Sequence, residues 1–125
     1  MSGAVLDAGA LIAFERGDRA VVAVVARAVE HGDELAIPAG VVAQVWRDGR
    51  RQVRLARLLA SDASAVISLD DRRSRAAGQL CGVSRTSDVI DASVALLARE
   101  RHVAVLTSDP EDLRHLDATL ELVTV

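Results

Sequence analysis

Ala4-Val5-Leu6-Asp7-Ala8-Gly9-Ala10-Leu11-Ile12 is the stretch whose reading decides the fold. Its apolar opening reads as a short buried strand, and Gly9 with the apolar residues after it reads as a tight turn into a helix. Asp7 then stands where strand gives way to helix, at the C-terminal edge of a sheet. In open α/β sheets that edge is where ligands bind.

Working outward, the same alternation recurs along the chain. Asp18 is a candidate N-cap for a helix over 19–30, closed by His31-Gly32, and 35–37 is a short strand ended by Pro38. A helix over 39–46 is broken by Asp48-Gly49, and a second is expected over 50–59. A third strand falls at 65–69. Asp70 or Asp71 opens a helix to about 80, with Gly82 beginning a loop. Ser87 or Asp88 caps an apolar helix to about 99, a fourth strand covers 103–106, and Ser108-Asp109-Pro110-Glu111 opens a short helix. Residues 120–125 are expected to close the chain as an edge strand. Strands separated by helices predict one α/β domain over 1–125: a mostly parallel five-stranded sheet with helices on both faces, three layers in all.

Composition narrows the function. At 125 residues the chain is long enough for one sizeable core. Aromatic residues make up only 2%, so aromatic stacking is excluded as the main mode of nucleic-acid binding. The net charge of −3 offers no global polycation, and all 15 basic residues are Arg. Cys81 is alone, which fits a reducing cytoplasm. No stretch approaches the roughly 20 apolar residues of a membrane span, and no signal-peptide pattern is expected at the N-terminus.

Taken singly, each acidic residue has a structural explanation. Asp109 before Pro110 has the pattern of a helix N-cap, and Asp88 and Asp7 also stand at helix starts. Taken together, they form a pattern. Asp7 follows the first strand, Asp109 follows the fourth, and Asp88 and Asp91 share one face of the intervening helix. In a parallel sheet all four converge at one edge. Two carboxylates about 4 Å apart repel by roughly 4 kcal/mol at an effective dielectric of 20. Such a group calls for protonation or a cation, and hard oxygen donors favour Mg²⁺ or Mn²⁺. Asp91 adds weight, since it begins an otherwise apolar helix flank where a charge costs burial energy.

Three blocks carry a family resemblance: Val5-Leu6-Asp7-Ala8-Gly9-Ala10-Leu11-Ile12-Ala13, Ser87-Asp88-Val89-Ile90-Asp91-Ala92, and Val105-Leu106-Thr107-Ser108-Asp109. In order and spacing they resemble the acidic motifs of PIN domains, and most closely those of the VapC-type toxins of bacterial toxin–antitoxin pairs. The resemblance implies a metal-dependent endoribonuclease using Mg²⁺ or Mn²⁺. Asp7, Asp91 and Asp109 would be its catalytic and metal-holding residues, with Asp88 a supporting ligand. It also implies an RNA substrate, a cognate antitoxin and a homodimer. The family's further Glu, on the helix after the second strand, is replaced by Gln44, which offers an amide oxygen but no charge. The alternative reading is therefore a catalytically weakened PIN-like domain acting as an RNA- or protein-binding module.

Arg47, Arg50, Arg51, Arg54 and Arg57 form a basic stripe in an acidic chain. Arg47, Arg50, Arg54 and Arg57 are the candidate RNA contacts, against a solvated helix face or a dock for an acidic partner. Trp46 reads as core or interface. Cys81 lacks the partners of a catalytic thiol, the three His lack zinc-ligand spacing, and no phosphate-cradling Gly motif occurs. A receiver- or phosphatase-like role for Asp7 would want a late Lys, and the chain has none.

Overall fold

The computed structural model describes residues 3–125. Five strands, β1 (Gly3–Leu6), β2 (Glu34–Pro38), β3 (Ser64–Ile67), β4 (Ala104–Thr107) and β5 (Leu122–Thr124), form one sheet in the order β3-β2-β1-β4-β5. Every pairing is parallel, so the sheet is wholly rather than mostly parallel. β5 lies at one edge, as expected, and β1 lies at the centre. The order runs outward one way through β2 and β3 and the other way through β4 and β5. The switch point therefore falls between the C-terminal ends of β1 and β4, the place where such sheets bind ligands.

Seven helices among the described residues cover the two faces. On one face lie α1 (Ala8–Glu15), α2 (Arg19–His31), α3 (Ala39–Val45) and α4 (Val53–Ala60). On the other, α5 (Asp71–Ser84), α6 (Val89–Arg101) and α7 (Pro110–Leu116) pack together, with α6 laid across β1, β2 and β4. The core between the layers is aliphatic. Val5, Leu6, Leu35, Ile37, Val105 and Leu106 of the three central strands are buried, as are Leu11, Val21, Leu55, Val94 and Leu113 of the helices. Cys81 is buried as a small apolar residue. No helix among the described residues is long and apolar enough to cross a membrane.

Some boundaries differ from those read in the sequence, for local reasons. The helix expected from residue 50 begins at Val53. Residues 47–52 form a turn built around Gln52, which is nearly buried. Its amide oxygen accepts from the backbone N–H of Arg47 (2.7 Å) and of Asp48 (2.9 Å), and its amide nitrogen donates to the Val45 carbonyl (2.8 Å) and to Glu15 (3.1 Å). The basic stripe is thereby divided: Arg47 and Arg50 stand in the turn, Arg54 and Arg57 on α4. Gly82 does not begin a loop. α5 runs through it to Ser84 and ends at Arg85, in the left-handed conformation.

Candidate active site

The site is assembled by the connections that leave β1 and β4. Asp7 follows β1, continues its pairing with β4 by donating from its backbone N–H to the Leu106 carbonyl (3.2 Å), and caps α1 by accepting from Ala10 N–H (2.9 Å). Gly9 in the first turn of α1 is pressed against Ser108; a Cβ there would collide with the Ser108 side chain and stand 3.1 Å from its backbone nitrogen. This close approach holds the two strand-to-helix connections together, and with them Asp7 and Asp109.

Asp7 is nearly buried, at 6% exposure. Burial is the main force raising its carboxyl above the ordinary Asp range, and the charge of Asp109 adds to it. The Thr107 hydroxyl and the N–H groups of Ala10 and Gly9 act the other way. Thr107, fully buried, also accepts from the Asp109 N–H through its hydroxyl (2.8 Å), fixing the start of the next turn. Asp109 occupies the N-cap position of α7, with Pro110 at the first helical position, yet its side chain makes no capping hydrogen bond. The structural explanation of Asp109 is therefore not realised, and its carboxylate is left available.

Asp88 is the N-cap of α6 and accepts from the Asp91 N–H (2.9 Å). Asp91, half-buried in the first turn, has its carboxyl pushed up to about 7, first by burial. The charge of Asp88 and a hydrogen bond with it come next, then the charges of Asp112 and Asp7. Asp91 thus feels carboxylates arriving from three other places in the chain.

The structure brings Asp7, Asp88, Asp91 and Asp109 to the switch-point edge, and it adds one residue that the sequence did not single out. Asp112 lies in the first turn of α7, and with Asp88, Asp91, Thr86 and His115 it lines a cleft of about 140 Å³. In sequence it reads only as an acid favourably placed at a helix N-terminus; the packing of α7 on α6 turns it toward Asp91. His115 bonds through Nε2 to the carbonyl of Ser84, tying α7 to the end of α5 (2.6 Å). Gln44 is exposed on α3, and no hydrogen bond among the described residues joins it to the carboxylates. Its helix does reach the site, because Gly40 packs against Ile90, the neighbour of Asp91. Trp46, read as core or interface, is partly exposed at the end of that helix. Arg47, Arg50, Arg54 and Arg57 are all exposed. Arg47 uses one guanidinium nitrogen to bond the Ala43 (3.1 Å) and Trp46 (2.7 Å) carbonyls at the end of α3. A separate cleft of about 320 Å³ between β3, α5 and α6 is lined by Leu69, Ala76, Leu96 and Leu97 and shares no residue with the carboxylates.

The donor chemistry fits a hard divalent cation. All five Asp side chains offer oxygen, and none takes part in an ion pair among the described residues. Among the described residues no group of three or more His, Cys, Asp or Glu side chains is placed to hold a metal ion, so a cation here would rest on one or two carboxylates and its waters. Mg²⁺ suits such a site, because it keeps several waters and is commonly held by one or two carboxylates together with substrate phosphate.

The chain thus has a parallel α/β architecture with carboxylates gathered at its switch point, and its family is shown by its sequence. The chain belongs to the PIN domain family, whose sequence pattern it matches over residues 4–118. PIN domains are generally nucleases, typically dependent on divalent metals. No curated protein compared with the chain matches it.

Proposed function

We propose that this chain is a divalent-metal-dependent endoribonuclease acting at Asp7, Asp91 and Asp109, with Asp88 and Asp112 in support. The observation that carries this reading is the meeting of a nearly buried Asp7, an Asp109 that does not cap its helix and an Asp91 raised to about 7. All lie at the sheet's switch point, and among the described residues no cationic side chain is paired to them. Carboxylates forced together in this way are stabilised by a cation.

The residues divide the work. Asp7, held by its capping bond, presents a fixed oxygen at the floor of the site. Asp7, Asp91 and Asp109 would hold metal and water, with one of them acting as the base that takes the proton. Asp109 orients that water in line with the phosphorus, and the P–O bond to the leaving oxygen breaks as the water oxygen bonds. A bound Mg²⁺ or Mn²⁺ supplies Lewis-acid polarisation of the phosphoryl oxygen and lowers the pKa of the water. Arg47, Arg50, Arg54 and Arg57 hold the RNA backbone, contributing affinity that falls with salt.

The finer role we propose is that of the toxin in a type II toxin–antitoxin pair: cytoplasmic, homodimeric and neutralised by a cognate antitoxin. It rests on the likeness of the three acidic blocks to VapC-type proteins. A second reading has one specific observation in its favour. Gln44 carries no charge and bonds to none of the carboxylates, which suits a weakened domain that binds RNA or protein.

The test is cleavage of RNA with Mn²⁺ by the native chain and by Asp7→Ala, Asp91→Ala and Gln44→Glu. Each alanine variant is expected to lose at least about 100-fold, since even outer partners of metal ligands cost 10–100-fold. Cleavage that survives both changes removes the metal-site reading. Metal binding without cleavage by the native chain, with a large gain in Gln44→Glu, favours the binding module.

A further inference from the structure

The chain has one Trp and no Tyr, and that Trp is not in the core. Trp46 ends α3 with 38% of its surface exposed, at the head of a segment, 47–57, that holds five Arg and a single acid, Asp48. The indole is held in place. Gly49 faces the ring so closely that a Cβ there would lie 2.8 Å from its Cζ2 and 3.0 Å from its Cη2. Gln52 pins the backbone of residues 45–48 from beneath, and Arg47 lays its guanidinium along the same helix end.

A partly exposed aromatic face fixed inside a positive segment has the form of a base-stacking platform, because every base offers a π-face while Arg takes the phosphates. Trp and Arg are enriched at protein–protein interfaces as well, so a protein partner is the outcome that absence of RNA binding would mark. Position agrees. Gly40 touches Ile90 beside Asp91, and Trp46 lies six residues further along, roughly 9 Å at the helical rise per residue. From this geometry we infer that Trp46 stacks an unpaired RNA base near the carboxylate site, with Arg50 and Arg54 on the flanking phosphates. The inference rests on the RNA-handling reading above and adds to it the residue that positions the strand. One platform supplements contacts to the backbone and does not replace them.

With a single Trp, the protein's indole emission reports this residue alone. The experiment titrates the full chain with a 12-nucleotide oligouridine in EDTA, which separates binding from cleavage, and follows both indole emission and the anisotropy of labelled RNA. Saturable quenching is expected, with little change for a blunt RNA duplex of equal length. Trp46→Ala is expected to weaken binding about 5- to 100-fold and Trp46→Phe to keep most of it. Gly49→Ala, which displaces the ring without removing it, is expected to weaken binding too, and far-UV circular dichroism checks that each variant folds. The proposal is overturned by binding without quenching, by full affinity in folded Trp46→Ala, by absence of binding, or by emission that follows protein concentration instead of RNA, which marks self-association. A chain that binds and quenches but never cleaves with Mn²⁺ leaves this inference standing and removes the nuclease reading; one that cleaves with Trp46 inert does the reverse.

Discussion

Asp91 illustrates how far one side chain's behaviour depends on charges brought from elsewhere. Its carboxyl is raised from 3.8 to about 7 by burial and by Asp88, Asp112 and Asp7. In the unfolded chain it ionises near its ordinary value, so between those limits the folded state binds more protons than the unfolded one. Stability therefore falls as pH rises from about 4 to 7, and Asp7, raised in the same direction, adds to the fall. The metal-free protein is expected to melt at a lower temperature at pH 8 than at pH 5. Asp91→Asn should raise the pH 8 melting temperature, with little effect at pH 5, while abolishing cleavage. Calorimetry at the two pH values checks the sign. Asp112→Asn removes one of the charges raising Asp91, so the metal-free protein's fall in melting temperature between pH 5 and pH 8 should shrink; an unchanged fall excludes Asp112 from the cluster. The placement of Asp7, Asp88, Asp91 and Asp109 at one sheet edge was legible in the sequence because each follows a strand or opens a helix. Asp112 was not, because only the docking of α7 against α6 gives it a role beyond its own helix.

Among the elements, the connections carry more information than the helices and strands they join. The five strands and the helices between them were readable from apolar runs, caps and Gly or Pro breaks. The late start of α4 was not, because residues 50–52 have helix-compatible side chains. What stops the helix is Gln52, which turns inward to bond the backbone of Val45, Arg47 and Asp48. Gln52→Ala should cost about 2–3 kcal/mol, since it leaves buried groups without partners. It should also loosen the turn that carries Trp46, which denaturant unfolding and RNA anisotropy would measure separately. Gly82 misled in the opposite direction: nothing crowds it, and α5 simply continues through it. Gly9 was read as a turn residue. Its structural importance lies in the absence of a side chain against Ser108, so Gly9→Ala should both destabilise the fold and push Asp7 away from Asp109, seen as lower melting temperature and weaker Mn²⁺ binding.

For the molecule as a whole, the parallel sheet and the carboxylate edge work against each other. The sheet places its switch point where helix starts and strand ends concentrate Asp side chains, and the resulting repulsion is relieved by protons or by a cation. At one fixed concentration Mn²⁺ is therefore expected to stabilise the protein more at pH 8 than at pH 6, and the total stabilisation is about 2.7 kcal/mol at the pH where that concentration is 100 times the dissociation constant. A thermal shift independent of pH would separate metal binding from these carboxylates.

The central place of β1 also bears on when the protein becomes active. β1 precedes the other strands, yet its neighbour β4 follows only after β2, β3 and six intervening helices have been completed. Pairings between such distant segments form slowly. On the ribosome, where synthesis proceeds at roughly 5–20 residues per second, Asp7 emerges early and waits for Asp91, Asp109 and Asp112. Whatever chemistry these carboxylates perform, an unfinished chain cannot perform it, and the cell meets the activity only after translation has passed β4.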